Sequence, residues 1–341
     1  MVPNTKVLVG FSGGVDSTAA VILLKKAGYD VVGLCFNVLN DSYPAKLQAV
    51  ADQLGIKLIK KCVTPEFNEK VIKPFILEYE NGRTPNPCIL CNPEVKFKVL
   101  CEVADQECIP YIATGHYAGI QCLKGIYYVK KAKNLAKDQS YMLYRLPQDV
   151  LKRLILPLSG AYNKADIRSL VQAEGIENYS DKDSQDICFI PDGDYKNFLM
   201  SSGAINKPGE FIDEDGVKIG KHQGILSYTV GQRKGLGLSL GKPAYVLEIN
   251  NNNVVVGPEE LLFKNVVTVN QLFWTSGLPD SGTKLTCKLR YSANDAQCTI
   301  DYDPSGAVIL YFKDPQRAPT PGQSAVLYYN NLVIGGGFIV K

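Results

Sequence analysis

Residues 8–17 read LVGFSGGVDS, and this stretch decides the fold of the first part of the chain. The apolar run Lys6–Phe11 predicts a buried strand, and Ser17–Ala27 predicts a helix. Gly13 and Gly14 allow a tight turn whose N–H groups approach a ligand closely, and the start of a helix adds a partial positive charge. The sequence therefore predicts a strand–turn–helix unit that holds an anion such as phosphate.

The spacing of these glycines excludes two common phosphate loops. No lysine follows them as in GxxxxGK[ST], and the pattern is not GxGxxG. SGGVDS instead resembles the pyrophosphate loop of the ATP-pyrophosphatases, which cleave ATP between the α- and β-phosphates and leave AMP on a substrate oxygen. That resemblance implies bound ATP and an Asp16 that positions Mg²⁺ or the loop itself. A plain glycine turn is the alternative.

The composition indicates an ordinary soluble protein with two or three domains. The chain has 341 residues, of which 45% are hydrophobic and 21% charged, and its net charge of +3 does not oppose a nucleic-acid partner. No apolar stretch is long enough to span a bilayer, and no signal-peptide pattern is visible, so we expect a cytoplasmic protein without a membrane partner. In a reducing compartment, the ten cysteines predict chemistry rather than disulfides.

The pattern of predicted elements changes along the chain. The first 200 residues alternate strands and helices, which predicts an α/β class fold: a Rossmann-like parallel sheet with helices on both faces. Glu210–Lys221 and Tyr245–Val256 have hairpin patterns, and the short strands after residue 260 predict a β-barrel. We therefore expect an ATP-binding catalytic domain at 1–200, a small β-rich connecting domain at 201–260 and a C-terminal barrel at 261–341.

The breaker residues and the hydrophobic periodicity give bounds for the individual elements. The predicted strands of the first domain after the loop are Asp30–Phe36, Lys57–Val63 and Tyr111–Thr114. The predicted helices are Ala45–Leu54, Phe67–Tyr79, Glu94–Glu107, Asn163–Ala173 with Asn163 as N-cap, and an amphipathic segment at 140–146. Gly82–Asn92 is predicted to be a loop. The predicted barrel strands are Val266–Val269, Lys284–Leu289, Gln297–Asp301, Val308–Phe312, Ser324–Tyr329 and Leu332–Ile339.

Three cysteines lie in predicted loops. Cys88 and Cys91 form a Cys-x-x-Cys pair, and Cys188 lies within 181–191. A zinc site is disfavoured because there is no second such pair and the chain has only two histidines. A thioredoxin-like pair is disfavoured as well, because such a pair begins a helix directly after a strand, whereas prolines place this pair in a longer predicted loop. Sulfur transfer is the only interpretation that also uses the ATP loop.

A buried, inert role is the default for the remaining cysteines, which fall on predicted strands or helix faces. They are Cys35, Cys62, Cys101, Cys108, Cys122, Cys287 and Cys298.

Ordered blocks along nearly the whole chain resemble the tRNA-specific 2-thiouridylase family of the ATP-pyrophosphatase superfamily. These blocks are GFSGGVDS, GRTPNPCILCNPEVKF, YIATGHY, KDQSYMLY, DSQDICFI, GKHQGILSYTVGQRKGLG, LRY and TPGQSAV. The resemblance implies a tRNA-uridine 2-sulfurtransferase that adenylates O2 of wobble uridine 34 with ATP and replaces it with sulfur. The implied partners are tRNAs that read Lys, Glu and Gln codons, and a cysteine desulfurase or sulfur-relay protein as sulfur donor.

The resemblance also carries site residues over to this chain. Cys188 would carry a persulfide, Cys91 would act as nucleophile, and Asp16 would complete the catalytic set. The implied ATP-binding residues are Gly10, Phe11, Ser12, Gly13, Gly14, Val15, Asp16, Ser17, Phe36 and Gly115. The implied contacts to the target base are Asn86, Pro87 and Cys88. The implied tRNA-binding residues are His116, Lys137, Asp138, Gln139, Arg290, Tyr291 and Gln323, with Arg233 and Lys234 in a basic loop that suits a nucleic-acid backbone.

Simpler roles stand beside these assignments. Phe36 suits core packing and His116 suits a structural role. Residues 137–139 suit a helix cap, and the loop at 233–234 suits a solvated surface.

One position departs from the family. Its best-known members have an aspartate where this chain has Cys88. Together with Cys91 and Cys188, this cysteine makes three thiolates, the number that leaves one iron of a [4Fe–4S] cluster open for hydrosulfide. A persulfide relay and a cluster-bound sulfide both remain open, and the third cysteine favours the cluster.

Two other function classes compete with tRNA thiolation. One is an ATP-pyrophosphatase that adenylates a small carbonyl or carboxylate substrate, as amidating synthetases do. The other is a non-catalytic RNA-binding protein that keeps a nucleotide pocket.

Overall fold

The computed structural model describes residues 4–38, 43, 46–161, 163–177, 187–190 and 192–340. The predicted loop at 181–191 therefore lies largely outside the described residues. Contacts divide the chain into two compact units. The first comprises Met1–Val71, Cys88–Pro191 and Asn331–Ile334, and the second comprises Ile72–Pro87, Asp192–Asn330 and Gly335–Lys341. No described helix has both the length and the apolar character needed to cross a membrane.

The described strands, in chain order, are β1 Lys6–Gly10, β2 Asp30–Asn37, β3 Lys57–Cys62, β4 Tyr111–Thr114, β5 Ala118–Leu123, β6 Ile126–Lys131, β7 Leu154–Ile155, β8 Gly209–Ile212, β9 Lys218–His222, β10 Tyr245–Asn250, β11 Asn253–Gly257, β12 Phe263–Trp274, β13 Lys284–Lys288, β14 Ala296–Tyr302, β15 Val308–Arg317, β16 Ser324–Tyr329 and β17 Leu332–Ile339.

The described α-helices are α1 Val15–Lys26, α2 Lys46–Gln53, α3 Thr64–Phe67, α4 Lys73–Glu80, α5 Pro87–Cys91, α6 Phe97–Gln106, α7 Gln148–Arg153, α8 Lys164–Ala173 and α9 Tyr195–Ser201. Two π-helical turns span Asn68–Ile72 and Asn92–Lys96. Short 3₁₀ turns span Leu135–Lys137, Ser140–Leu143, Pro157–Gly160, Ile225–Ser227 and Glu259–Leu262.

The first unit is built on a five-stranded parallel sheet in the order β3-β2-β1-β4-β7. Its central strand carries a continuous apolar run whose residues Val7, Leu8 and Val9 are completely buried, as expected for a parallel strand that is covered on both faces. Helix α1 packs Ala19 and Val21 into the same core. This arrangement confirms the predicted Rossmann-like α/β fold.

Several local predictions in the first 200 residues need correction. The helix predicted over Phe67–Tyr79 is divided by a π-helical turn, because Pro74 has no N–H to continue the α-helical hydrogen bonds. The loop predicted over Gly82–Asn92 turns helical at Pro87, whose missing N–H costs nothing at a first helical position. The amphipathic helix predicted at 140–146 is reduced to a 3₁₀ turn.

Other local predictions are confirmed, and one element was missed. The side chain of Asn163 accepts a hydrogen bond from the Asp166 N–H (2.8 Å) and caps α8 as predicted. The hairpin of β5 and β6 was not predicted. Its turn at Lys124 and Gly125 has positive φ at both positions (49° and 82°), which is the geometry of a tight hairpin turn.

The second unit contains a small sheet and a barrel. The sheet has the order β10-β11-β8-β9, and both hairpins predicted in this region are present. The six strands from β12 to β17 run in the order β12-β15-β14-β13-β16-β17, and β17 pairs again with β12. The predicted C-terminal β-barrel is therefore closed, which leaves no strand edge unpaired along its circumference.

Candidate active site

The loop after β1 presents backbone rather than side chains. Gly13 has φ +75°, a conformation that favours glycine, and Gly14 is the N-cap of α1 without a side-chain cap. The Ser17 hydroxyl donates to the Gly14 carbonyl (2.9 Å) and lies 3.2 Å from the Ser12 hydroxyl. The loop is thus held by its own hydroxyls, and the Gly14 N–H also points to the Ser12 hydroxyl (3.4 Å). This geometry suits an anion.

Asp16 lies in the first turn of α1 and is held by two other elements. Both of its carboxylate oxygens are 2.7 Å from Nζ of Lys164, the first residue of α8. The Tyr117 hydroxyl donates to the same carboxylate at 2.6 Å. The Lys164 side chain is only 17% exposed, so this ion pair is far less screened by water than a surface pair.

Gly115 follows β4 and touches the backbone of the loop. A Cβ at this position would lie 2.8 Å from the Asp16 carbonyl oxygen and 3.0 Å from the Ser17 nitrogen. These neighbours are backbone atoms, which cannot move aside as the end of a flexible side chain can. The close approach of β4 to the loop therefore requires a glycine.

The other predicted ATP-binding residues differ in how much of their side chains is exposed. Phe11 and Val15 are buried in the core, so only their backbone atoms are available to a ligand. Gly10 ends β1, and the Phe36 ring approaches it from β2. Phe36 is half-buried, so the ring both packs on the sheet and keeps an exposed part.

Cys88 and Cys91 lie on helix α5 rather than in a loop. A spacing of three residues places them on the same helical face. None of the ten cysteines, all in the described part of the chain, forms a disulfide. Cys62, Cys108 and Cys122 are exposed rather than buried as expected.

The three predicted functional thiols interact with one another and with one cation. Desolvation is the main cause that raises the pKa of Cys91 to about 12, and it also raises the pKa values of Cys88 and of Cys188, whose residue as a whole is exposed. Lys96 opposes this effect at all three thiols. In addition, the backbone N–H of Lys96 donates a hydrogen bond to the Cys91 sulfur. The site therefore keeps its thiols protonated at rest, with one positive charge beside them.

The same lysine faces His116. Desolvation, followed by the charge of Lys96, lowers the pKa of His116 to about 3. Its Nδ1 lies 2.7 Å from the Thr114 hydroxyl, and its ring stacks on Phe97 at 5.9 Å. His116 is therefore a neutral imidazole at physiological pH.

The three thiols do not form a ready metal site. Among the described residues, no group of three or more His, Cys, Asp or Glu side chains is arranged to hold a metal ion. An open [4Fe–4S] cluster would need the sulfurs of Cys88, Cys91 and Cys188 together as ligands. As arranged in this structure, these residues do not fit a cluster.

Comparisons with known proteins place the chain in a family. The family model described as tRNA methyl transferase HUP domain matches residues 5–192. Models described as tRNA methyl transferase PRC-barrel domain and aminomethyltransferase beta-barrel domain match residues 196–258 and 264–339. The chain is 41% identical over 349 residues to tRNA-specific 2-thiouridylase MnmA 1 of Clostridium tetani, which covers 98% of this chain and 96% of that protein. The chain belongs to the MnmA family of tRNA-specific 2-thiouridylases.

A second MnmA relative, from Clostridium botulinum strain Alaska E43, is 42% identical over 353 residues and covers 98% of this chain and 97% of its own length. The resemblance found in the sequence blocks and the assignment to the sulfurtransferase class are therefore confirmed. Among solved structures, a 4-thiouridine synthetase–RNA complex with bound ATP has a TM-score of 0.37 and 18% identity, covering 58% of this chain and 50% of that one. That likeness is too weak to support a conclusion.

The predicted tRNA-binding residues of the first unit have different environments. Lys137 is exposed. Asp138 is buried, and its carboxylate accepts hydrogen bonds from the Ala132 N–H (2.8 Å) and the Ser140 hydroxyl (2.7 Å). The Gln139 side chain accepts from the Tyr117 N–H (2.9 Å). The last two side chains thus hold the local backbone, and only Lys137 of this MnmA segment presents an exposed side chain.

The second unit shows the same contrast. Arg290 donates to the Val230 and Ala318 carbonyls and to the Thr320 hydroxyl. The Gln323 amide donates to the Thr84 carbonyl (2.6 Å).

Three other predicted tRNA residues of the second unit are exposed: Tyr291, Arg233 and Lys234. Asn86 and Pro87 also belong to this unit, directly before the cysteine pair.

Sequence reasoning missed three residues of the site: Lys96, Lys164 and Tyr117. Lys96 lies in the same quoted block as Cys91, GRTPNPCILCNPEVKF, five positions after it. A positive charge so near the cysteine pair could have indicated its effect on the thiols. Lys164 directly follows the predicted N-cap Asn163, but the sequence contains no sign that it contacts Asp16, 148 positions away. Tyr117 lies in the YIATGHY block, but only its partner in the fold reveals its role.

Gly115→Ala is expected to weaken ATP binding by at least about tenfold, because the added methyl group must displace the loop backbone. Gly160→Ala is the matched control, since nothing lies within 4 Å of its Cβ. Isothermal titration with ATP measures both affinities, and thermal unfolding reports whether the loss is general. Equal ATP affinity in the two variants would contradict the close approach described here.

Lys96→Met is expected to slow alkylation of Cys91 at a fixed alkaline pH, because removing the cation raises the thiol pKa further. Lys96→Arg keeps the charge and is expected to keep most of the rate. Mass spectrometry of iodoacetamide-labelled peptides gives the rates, with exposed Cys122 as internal reference. A Cys91 rate that is the same with methionine and with lysine would show that the charge has no effect.

The NMR signals of His116 are expected to show no titration between pH 8 and pH 5. Because the folded pKa of about 3 lies below the ordinary value of 6.5, the unfolded chain binds more protons in this interval, and stability falls as pH drops below 6.5. His116→Asn assigns the signals and should reduce that acid loss. A midpoint near pH 6.5 for His116 would refute its desolvation.

Proposed function

We propose that this chain is a tRNA 2-thiouridylase that uses ATP to replace O2 of wobble uridine 34 with sulfur, giving 2-thiouridine, AMP and pyrophosphate. The observation that supports it most directly is the content of one α/β unit. That unit contains an anion-binding glycine turn at residues 12–17 and three thiols that share Lys96. Neither feature alone requires the other, whereas adenylation followed by sulfur transfer uses both.

In the first step, the uridine O2 attacks the α-phosphorus of ATP, and pyrophosphate leaves. The backbone N–H groups of the turn and the start of α1 are placed to hold the phosphates and to stabilise the charge that develops on them. Gly115 allows the end of β4 to approach the Asp16 and Ser17 backbone closely. The product is an O2-adenylated uridine whose oxygen is now a good leaving group.

Asp16 is the residue that would hold Mg²⁺, since carboxylate oxygens are preferred ligands of this ion. Bound with ATP, the ion supplies charge neutralisation on the phosphates. In this structure Lys164 occupies both carboxylate oxygens at 2.7 Å. For Asp16 to hold the ion, Lys164 therefore has to leave the Asp16 carboxylate when the nucleotide binds. The phosphates of ATP would then be its new anionic partner.

In the second step, Cys188 carries a persulfide delivered by a cysteine desulfurase or sulfur-relay protein. The Cys91 thiolate attacks the inner sulfur of that persulfide, which forms a Cys91–Cys188 disulfide and releases hydrosulfide. Hydrosulfide attacks C2 of the uridine, and the C2–O2 bond breaks with AMP as the leaving group. An external thiol then reduces the disulfide and returns both cysteines to their starting state.

The persulfide route is the one that these side chains support. A cluster-bound sulfide is the alternative mechanism, but the described cysteines do not form a group arranged to hold a metal ion. Cys88 lies where the best-known family members have an aspartate. The Cys88 thiol raises the pKa of Cys91, so the site disfavours thiolates on both residues at once.

The proposed tRNA contacts include the exposed residues Lys137, Tyr291, Arg233 and Lys234. The proposed contacts to the target base are Asn86, Pro87 and Cys88. Asp138, Gln139, Arg290 and Gln323 would position these contacts through the backbone they hold. In this proposal, residues 1–200 form the catalytic domain, 201–260 a connecting domain and 261–341 a barrel that contacts tRNA. The enzyme would act in the cytoplasm on tRNAs for Lys, Glu and Gln.

The decisive experiment is mass spectrometry of nucleosides from tRNA of cells that lack this protein. Loss of 2-thiouridine, restored by the wild-type gene, is the expected result. Cys91→Ser and Cys188→Ser should each fail to restore it, whereas Cys122→Ser, an exposed cysteine outside the site, should restore it fully.

The purified protein separates the remaining alternatives. Pyrophosphate release that depends on tRNA is expected, and release without tRNA would indicate a different adenylated substrate. No release under any condition would indicate a non-catalytic RNA-binding protein. Iron that copurifies anaerobically and is required for thiolation would replace the persulfide route with the cluster.

A further inference from the structure

The surface of the barrel carries an open cavity of about 710 Å³ that none of the residues assigned above lines. It lies across the four neighbouring strands β16, β13, β14 and β15. The strand register explains its lining, because Thr286 lies opposite Gln297 and Tyr328, while Thr299 lies opposite Lys284 and Tyr311. Polar and aromatic side chains thus form two cross-strand rows. A cavity of this size is typical of ligand pockets.

The charges around this cavity are all positive. Lys284 and Lys313 line it, and no carboxylate occurs among its described lining residues. Neither lysine takes part in a salt bridge of the described chain. Two uncompensated ammonium groups beside one cavity attract a polyanion or a phosphate.

Two of the aromatic rings that line the cavity are exposed. Tyr311 is 44% exposed and Tyr329 is 57% exposed. Neither ring stacks on another ring or on a cation in the described structure, in contrast to Tyr291, which Lys288 covers. Exposed tyrosine faces beside lysines are the surface on which proteins stack unpaired nucleic-acid bases.

An unsatisfied hydroxyl adds an independent observation. Thr286 Oγ1 is buried and has no hydrogen-bond partner in the described structure. A buried hydroxyl without a partner carries a desolvation cost that a ligand atom would remove. Gln297 and Thr299 beside it supply further donors and acceptors of the kind that read the edges of bases.

We propose that this barrel cavity is a second RNA-binding site that holds an unstacked nucleotide of the RNA chain, with its base against Tyr311 or Tyr329 and its flanking phosphates near Lys284 and Lys313. The proposal rests on the proposed function, because it takes the substrate RNA as the occupant. A free nucleotide such as the product AMP shares this chemistry and is the competing source of the ligand.

The charge test uses the full-length protein and an unmodified tRNA transcript that contains U34. Lys284→Glu with Lys313→Glu should weaken tRNA binding at least about tenfold and reduce the slope of log affinity against log salt by roughly 1.5 to 2, the change expected for two phosphate contacts. Lys207→Glu with Lys264→Glu makes the same charge change at two exposed lysines outside the cavity. These control substitutions should alter the slope by less than half as much.

The stacking test uses Tyr311 and Tyr329 together. Replacing both by alanine should weaken tRNA binding about tenfold, and replacing both by phenylalanine should restore most of it, because phenylalanine keeps the ring. Ultraviolet cross-linking to tRNA should label peptides from 308–317 or 324–329. Circular dichroism and thermal midpoints confirm that the variants fold.

The outcomes separate the two hypotheses. Wild-type tRNA affinity and salt slope in the Lys284/Lys313 variant, with 2-thiouridine still formed, would overturn the cavity proposal alone. Loss of AMP binding in that variant with unchanged tRNA binding would also overturn it, in favour of a free nucleotide. If the wild-type protein bound tRNA through the cavity but formed no 2-thiouridine, the proposed function would fail and the RNA site would stand.

Discussion

The structure depends on the contact between Gly115 and the backbone of the glycine turn. Strands β1 and β4 are parallel neighbours, so their carboxyl ends meet at one edge of the sheet, where open α/β folds bind their ligands. Any side chain at 115 would push into the Asp16 carbonyl at 2.8 Å. Because the turn is shaped by backbone conformation at Gly13 and Gly14, its shape cannot be adjusted by changing rotamers. The sheet, the turn and the helix α1 must therefore be positioned together, and the contact at Gly115 enforces this.

Much of this arrangement could be predicted from sequence, because it follows local rules. Apolar runs and glycines located β1, β2 and α1 to within a residue or two, and Asn163 was identified as the cap of α8 from its residue type alone. The errors occurred where two local signals compete. Pro87 reads as a loop breaker, yet it is equally suited to begin a helix, and helix α5 begins there. At Pro74 the surrounding apolar pattern favours one continuous helix, whereas the missing N–H interrupts it, and a π-helical turn precedes α4.

Long-range pairs could not be predicted in this way. The contact of Lys164 with Asp16 joins residues 148 positions apart, and nothing in the identity of either residue specifies it. The positions of Asp138, Arg290 and Gln323 are a similar case, because family blocks mark them for tRNA binding while their side chains hold local backbone. A motif shows that a residue type matters at a position. Only the fold shows whether that residue acts by touching a ligand or by holding the loop that does.

The electrostatics of the cysteine site limit how sulfur can move through it. Burial raises the pKa of each of the three thiols, and the neighbouring sulfurs raise the pKa of Cys91 further. Lys96 is the cation that acts on all of them, and neutral His116 adds no charge. The single positive charge of Lys96 can balance one thiolate. A second thiolate beside the first would be repelled by it and would have no cation of its own. In the proposed relay, sulfur would therefore pass with a single negative charge that moves from one sulfur to the next. A relay in which Cys91 ionises only when it attacks, and hydrosulfide carries the charge onward, satisfies this limit.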